Sequence, residues 1–502
     1  MRKLFNLKAF DICMQWVGSL LMVYFLGYWI FQAIELIQYP VPTEYRDWGL
    51  IDLSISIYNN KSPYSFVDGP PFIFVYGVLS SLLVGGISTL SGLDGLVATK
   101  IIVCACVLTS ALIIAYEILS ITQSRFYAIL GFCCMLWANS NSGVFFILRP
   151  DALGLVICLL SLVVIRRDTK SINLMACSIL LILTFYTKQY FIFVVLPIGL
   201  YLLMRRGFVT ALMFSIYLLS FFALSILLAL NLWPAYFYQS ILAQFNSVGG
   251  PWNYSGYQAL QFGSIYWPML ALAAYYFYDV LNKRVEVSSS ENLYLLVLLV
   301  SLACLVPMGR NAGAFLSYHY QLALPALTIV GVLALCNLES TLIRVASVSL
   351  IVILCIYHGQ YPKFSSMYSD QSRHQWTTAK SILEEESGEI LVATPILNHR
   401  PGNFTRLDNG HSECYTALVA RPYPLLNWIF PKRATYYSEF EKFYLGVVHK
   451  IDNREYKLII VTSGYHPMIP QAILEKQYRK FREIDLQTGA QVWKTEFWTP
   501  RD

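Results

Sequence analysis

The sequence predicts a polytopic α-helical membrane protein with about 11 transmembrane helices and a small C-terminal α/β soluble domain. Hydrophobic residues make up 56% of the 502 residues and charged residues only 13%, whereas soluble globular proteins carry about 25% charged residues. Apolar runs of about 20 residues recur, each long enough to cross a hydrocarbon core of about 30 Å. The net charge of +6 comes without a dense basic block, so no nucleic-acid partner is predicted.

The cysteines and the N-terminus give further information about metal sites, disulfides and membrane insertion. Most of the 11 cysteines lie inside apolar runs, without CxxC spacing or histidine pairing, so the sequence predicts neither a zinc site nor a disulfide framework. Residues Met1–Lys8 are basic and precede a long apolar run, Cys13–Ile37, without a small-residue cleavage site. We interpret this run as a retained first helix with a cytoplasmic N-terminus.

The topology depends on one run that does not cross. By the positive-inside rule the loop after the first helix is extracytoplasmic and Arg166-Arg167 is cytoplasmic. An odd number of crossings must separate them, yet four apolar runs do so: Phe72–Leu90, Thr99–Ile121, Phe126–Leu148 and Ala152–Ile165. We predict that Phe72–Leu90, which follows Pro70-Pro71 and contains three glycines, lies in the membrane interface.

The polar tail predicts a separate unit, dividing the chain into a transmembrane domain (1–357) and an extracytoplasmic α/β domain (358–502). No glycine-rich phosphate loop follows a predicted strand, so no nucleotide site is expected. The helices predicted there are Gln375–Glu386, Glu439–Lys450 and Ile469–Lys480, and the strands are Glu389–Ala393, Lys457–Thr462 and Gln491–Phe497.

Charged and polar residues from well-separated helices are predicted at the extracytoplasmic face. Facing helix ends in a bundle can build a site from such residues, and a carboxylate at the mouth of a membrane bundle is a functional candidate because it is expensive to desolvate. These residues are Glu44 and Asp47 after the first helix, then Arg149, Asp151, Lys188, Arg310 and His319 ahead of or between later helices.

Each candidate also has a structural interpretation. Asp47 could be a solvated loop acid, and Asp151 an N-cap that satisfies free helix amides. Lys188 could extend to the interface without a ligand, and His319 could be a hydrogen-bonded interface histidine. Tyrosines and tryptophans near helix ends are typical of interfacial anchors.

Together, two acids and several cations on one face suit one reaction. A sugar on a lipid phosphate needs its departing charge stabilised, which lysine or arginine does electrostatically. The acceptor hydroxyl needs a carboxylate to take its proton as it attacks the anomeric carbon. One acid opposite the leaving group gives inversion by single displacement, and a nucleotide-free donor accounts for the lack of a phosphate loop.

Four segments resemble the GT-C superfamily of integral membrane glycosyltransferases, which includes protein mannosyltransferase-like and aminoarabinose transferase-like enzymes that use polyprenyl-phosphate sugars. They are Asp47 with Asn60-Lys-Ser-Pro-Tyr64 and Pro70-Pro71, then Arg149-Pro-Asp151, Thr187-Lys-Gln189, and Ser317-Tyr-His-Tyr320 with Leu324-Pro325. The resemblance implies a polyprenyl-phosphate-linked sugar donor, a glycan, lipid or protein acceptor, and amphipathic juxtamembrane helices in the first outer loop.

The resemblance also implies roles for individual residues. Asp47 is expected to be the catalytic base, with Asp151 and Glu44 holding the acceptor or a metal. Lys188, Arg310, Arg149 and His319 are expected to bind the donor phosphate. Because the first motif has Glu44 three residues before Asp47 rather than a paired acid, a divalent metal is left open and no cofactor is assigned.

Two other functions remain open from the sequence. A transporter or flippase of lipid-linked sugars would more often carry charges or broken helices at mid-membrane, whereas most charges here collect at helix ends. A glycan polymerase or ligase would also be polytopic, with arginines in its outer loops.

Overall fold

Long apolar helices form the first two-thirds of the chain. The computed structural model describes residues 2–43, 47–58, 64, 76–141, 148–233, 236–237, 240, 252–308, 323–358, 369–394, 397, 404–406, 433–462, 469–488 and 491–501. The helices in this part are α1 (Arg2–Gln38), α2 (Asp47–Tyr58), α3 (Leu79–Ser91), α4 (Gly95–Thr122), α5 (Arg125–Asn141), α6 (Asp151–Arg167), α7 (Ser171–Phe185), a 3₁₀ helix (Gln189–Val194), α8 (Val195–Arg206), α9 (Phe208–Leu232), α10 (Trp252–Leu281), α11 (Ser289–Met308), α12 (Ala323–Asn337) and α13 (Thr341–His358).

Four segments of the described chain are long and apolar enough, by length and composition, to cross a membrane. Of the α9 segment only 6% is buried inside the protein, so this helix presents apolar side chains outward around most of its circumference, as expected of a helix in lipid. The count of eleven crossings stays a prediction. The four segments are Trp16–Gln38, Gly95–Thr122, Gln189–Arg206 and Phe208–Leu232.

Helix α4 and helix α6 run in the same direction, which fixes the two ends of the bundle. Near their C-terminal ends, Arg166 of α6 donates a hydrogen bond to Glu117 of α4 (Nη2 to Oε1, 2.9 Å). The N-terminal ends, at Gly95 and Asp151, therefore both lie toward the opposite end of the bundle. We call these the Glu117 end and the Asp151 end of the bundle.

Helix α3 starts and finishes at the Asp151 end. The residues leading into it pair with the turn after α7, through Gly77 N to Thr187 O (3.2 Å) and Leu79 N to Tyr186 O (3.0 Å). Three residues after its last turn, α4 begins. With 13 residues, α3 is about 20 Å long and packs on α2. This length is shorter than a hydrocarbon core of about 30 Å, and that the run Phe72–Leu90 does not cross stays a prediction.

The C-terminal part contains a five-stranded sheet in the order β2-β1-β3-β5-β4. Strands β2, β1 and β3 are parallel, and β5 and β4 are antiparallel additions. The central strands β1 and β3 are buried along their whole length, as expected for parallel strands covered on both faces. The elements are α14 (Asp370–Glu385), β1 (Ile390–Ala393), β2 (Phe404–Arg406), α15 (Arg433–Asp452), β3 (Leu458–Thr462), α16 (Gln471–Gln477), β4 (Tyr478–Thr488) and β5 (Gln491–Pro500).

One predicted element of this region is wrong at its end. The helix predicted over Ile469–Lys480 is only the seven-residue α16, and Tyr478 already begins β4. Pairing along β5 from Tyr478 to Thr488 supplies the backbone partners that override the local helical pattern. The strands predicted over Glu389–Ala393 and Lys457–Thr462 are confirmed within one residue as β1 and β3. The domain boundary at 357/358 stays a prediction.

Candidate active site

A buried carboxylate stands at the start of α6. Pro150 occupies the N-cap and Asp151 is the first helical residue, so the interpretation of Asp151 as the N-cap is wrong. Its side chain reaches instead across to the segment after α7. Lys188 Nζ lies 2.9 Å from Oδ2 and the Tyr190 hydroxyl donates to Oδ1 over 2.7 Å. The carboxylate therefore joins the start of α6 to one segment, through residues 37 and 39 positions later in the sequence.

Lys188 is buried together with its partner. Its side chain and that of Asp151 are 5% and 4% exposed, so Lys188 does not extend toward water, as an unliganded interface lysine would. Its ammonium lies 4.0 Å from the ring centre of Tyr76 and 5.6 Å from that of Tyr190. Aromatic faces attract a cation, so the lysine is held by one carboxylate and two rings.

Two glycines allow the backbones around this lysine to approach closely. A Cβ on Gly77 would lie 1.8 Å from the carbonyl oxygen of Tyr186, so only glycine permits the pairing of this segment with the turn after α7. A Cβ on Gly154, one turn into α6, would lie 2.7 Å from the Phe191 ring. The segment around Lys188 is therefore packed closely on both sides, against backbone at Gly77 and through the Phe191 ring at Gly154.

A second cation, Arg149, lies beside the Asp151 carboxylate. Arg149, buried with 4% exposure, acts electrostatically on the Asp151 carboxylate. Together with Lys188, this arginine places two cations next to the Asp151 carboxylate, in an interior where charges are weakly screened. Lysine and arginine are the donors that suit a phosphate.

The other predicted residues fall partly outside the described chain. Glu44, Arg310 and His319 lie outside it, and Asp47 is the first residue of α2 with its side chain not described. The helix that begins at Asp47 lies over the Asp151 end of the bundle. Its Ile51 packs on Gly95 at the start of α4, where a Cβ would lie 2.8 Å from Cγ2, and Leu50 O accepts a hydrogen bond from Ser81 Oγ (3.1 Å).

Sequence reasoning missed two residues of the cluster, Tyr76 and Tyr190. Tyr190 stands two positions after Lys188, and aromatics near helix ends were assigned to interfacial anchoring. Its role could have been predicted from the nearby Lys188 and from Asp151, because a buried ion pair favours an additional hydroxyl donor. Nothing in the sequence indicated the role of Tyr76, because it is the backbone pairing of Gly77 that brings its ring over the Lys188 ammonium.

No metal site is found among the residues that the structure describes: no three His, Cys, Asp or Glu side chains come close enough together to hold an ion. Within that part of the chain, both oxygens of Asp151 already accept hydrogen bonds from protein groups.

Comparison with solved structures assigns the fold. Over 96% of this chain and 98% of the other, the protein superposes with a TM-score of 0.62 and 11% identity on ArnT from Cupriavidus metallidurans bound to undecaprenyl phosphate. The chain has the GT-C fold. The apo form of the same ArnT gives a TM-score of 0.59 at 11% identity, over 97% and 98% of the two chains. No family model matches the chain, and no curated protein matches it significantly.

The GT-C fold confirms the resemblance seen in the short sequence motifs. Together with the apolar helices it identifies an integral membrane protein. At 11% identity a shared fold does not carry a shared substrate, because one fold supports many sites.

Proposed function

We propose that this protein is an inverting glycosyltransferase that moves a sugar from a polyprenyl-phosphate donor to a lipid, glycan or protein acceptor. The reaction would take place at the extracytoplasmic face of the inner or plasma membrane, with the N-terminus cytoplasmic and the C-terminal α/β region outside. The observation that carries the proposal is the buried cluster in which Lys188 and Arg149 lie beside Asp151. The GT-C fold, and the undecaprenyl phosphate bound by ArnT, support it.

Lys188 and Arg149 are proposed to hold the donor phosphate. When the bond between the anomeric carbon and the phosphate oxygen breaks, negative charge grows on that oxygen. Cations already held in place stabilise this charge without reorganising. Asp151, with Tyr190, fixes the ammonium of Lys188 beside the Tyr76 ring. Arg310 and His319 are further candidates for the phosphate, and Glu44, with Asp151, for the acceptor or a metal.

Asp47 is proposed as the general base. Its carboxylate would take the proton of the acceptor hydroxyl while that oxygen forms a bond to the anomeric carbon from the face opposite the phosphate. The polyprenyl phosphate leaves with the bonding electrons, and one displacement inverts the anomeric configuration. Support comes from α2, which begins at Asp47 and packs on the start of α4 at the Asp151 end of the bundle.

Transfer by purified protein in lipid nanodiscs tests the proposal. Wild type, Asp47→Asn and a control are incubated with radiolabelled polyprenyl-phosphate sugars and candidate acceptors. We expect wild type to transfer sugar and Asp47→Asn to be slower by a factor of about 10²–10⁴, the range for loss of a general base. The product linkage, read by NMR, should be inverted.

The matched control is Asp168→Asn. This carboxylate follows α6 at the Glu117 end and pairs with the exposed Lys170 over 3.1 Å, so its loss should leave transfer unchanged. Equal transfer by Asp47→Asn and wild type contradicts the assignment of the base. If wild type transfers no sugar but moves the labelled lipid between leaflets of a vesicle, the protein is a flippase instead.

A further inference from the structure

Lys100 is a buried lysine outside the cluster described above. It lies in the second turn of α4 and has no solvent exposure. A lysine ammonium among apolar helices is expensive to desolvate. An apolar side chain of similar length would fill the same space without that cost. The partners of the ammonium therefore indicate what the residue does.

Those partners include the backbone that leaves α1. The Nζ group donates to the carbonyl oxygen of Tyr39 and, over 3.4 Å, to that of Val41. It also lies 5.5 Å from the centre of the Tyr39 ring. Carbonyls at and beyond a helix C-terminus carry partial negative charge and attract cations. Lys100 thus ties the end of α1 to the beginning of α4.

The tied segment leads directly into α2. Only residues 42–46 separate Val41 from Asp47, and α2 lies on the same beginning of α4. Ile51 of α2 contacts Gly95, five residues before Lys100. The start of α2 is therefore held in two ways, by its own packing on α4 and by the attachment of the preceding backbone to Lys100. The apolar contact can slide, whereas the hydrogen bonds to two carbonyls fix a register.

We propose that Lys100 is a positioning residue of the transfer reaction: its attachment of Tyr39–Val41 to α4 sets where α2 begins and so where Asp47 lies. This rests on the proposed role of Asp47 as the base. A general base must stand within hydrogen-bond reach of the proton it removes, and a shift of about 1 Å can lower a rate about 10²-fold. Lys100 touches no substrate in this assignment.

The test compares Lys100→Met, Lys100→Arg and Lys170→Met, each as the full chain in lipid nanodiscs. Methionine keeps the length and removes the charge and donors, whereas arginine keeps both. Lys170 is an exposed lysine at the Glu117 end, so Lys170→Met is the matched control. Amide hydrogen exchange reports on residues 39–58 without requiring substrate.

We expect Lys100→Met to raise exchange in residues 39–58 and leave that of α6 and α7 unchanged, which shows that the bundle is folded. For transfer we expect kcat to fall about 10²-fold with KM for the donor unchanged, since the Asp151–Lys188 cluster is untouched. Lys100→Arg should restore most of kcat and Lys170→Met should match wild type.

Wild-type exchange in Lys100→Met overturns the attachment, and a rise in KM for the donor with kcat unchanged overturns the positioning role. Failure of the proposed function is seen separately. If wild type transfers no sugar, the role of Asp47 fails and the catalytic part of this inference fails with it, whereas the exchange result still decides the attachment.

Discussion

Helix α6 has an ion pair at each end, fully buried at Asp151 and partly buried at Arg166, and the two differ in their surroundings. At the Glu117 end, the carboxylate of Glu117 receives hydrogen bonds from Arg166 and from the Tyr294 hydroxyl. One acid meets one base there, and α4, α6 and α11 are joined. At the Asp151 end, one acid meets two buried cations, and the partners come from loops and a 3₁₀ helix.

The comparison separates a structural pair from a candidate site. Buried ion pairs cost desolvation and stabilise little compared with apolar packing. The number of acids and bases in each group, and the elements that carry them, therefore indicate whether the group is structural or functional. The Glu117 pair is balanced between regular helices, as suits a fixed junction. The Asp151 cluster places two cations beside the Asp151 carboxylate, where segments with aromatic and glycine residues converge. The second arrangement brings a lysine and an arginine together, and both suit a phosphate.

The largest expected effect is on the rate of sugar transfer, which should fall when the ion pair at the Asp151 end is removed and not when the pair at the Glu117 end is removed. In Asp151→Asn/Lys188→Met the ion pair is removed together with one phosphate-binding cation, and we expect transfer to fall by about 10²–10³, as for loss of an electrostatic donor. In Glu117→Gln/Arg166→Met the matching pair is removed at the other end, and folded protein should keep wild-type kcat. Initial rates with the radiolabelled donor measure both. Equal losses would contradict the distinction between the ends.

The next effect is on stability, where the two ends should behave alike. Lys188→Met leaves the Asp151 carboxylate buried beside one fewer cation, and Glu117→Gln leaves Arg166 without its carboxylate. Loss of one partner of a buried pair costs about 3–5 kcal/mol of unfolding free energy. Removing both partners should recover much of it. Thermal unfolding in detergent with each single and double variant gives the comparison, and a double variant no more stable than its single would count against buried pairing.

The smallest effect is expected at an exposed version of the same charge pattern. Glu483 lies between Lys480 and Lys494, each at 2.8 Å. Lys480 first, then Lys494, lower the pKa of Glu483 to about 2. A lowered folded-state pKa stabilises above the unfolded value of about 4.3 and this contribution is lost as pH falls toward 2. The Tm difference between wild type and Glu483→Gln should be small at neutral pH and vanish in that window. A difference that grows on acidification would contradict the pairing.

The sequence predicted more of the fold than of the site. Apolar runs predicted the helices, and the crossing pattern inferred from the basic clusters stays a prediction. For the site, it predicted that Arg149, Asp151 and Lys188 share one end of the bundle. It did not predict that Asp151 binds Lys188 directly, nor that Tyr76 and Tyr190 complete the cluster. Strand β4 was missed for a similar reason, since its partner β5 lies beyond a turn and outweighs the local helical pattern.

The sequence by itself determined that this chain is an apolar helical bundle with most of its charges at helix ends. The reason is local: each lipid-facing residue of a helix must be apolar whatever its neighbours in other helices are. Tertiary structure alone decided which charges meet. Lys188 reaches Asp151 across 37 residues and Lys100 reaches Tyr39 across 61. Those contacts arise from helices packing side by side, where close approach at Gly77 and Gly95 is possible, and the order of residues along the chain does not specify the partner.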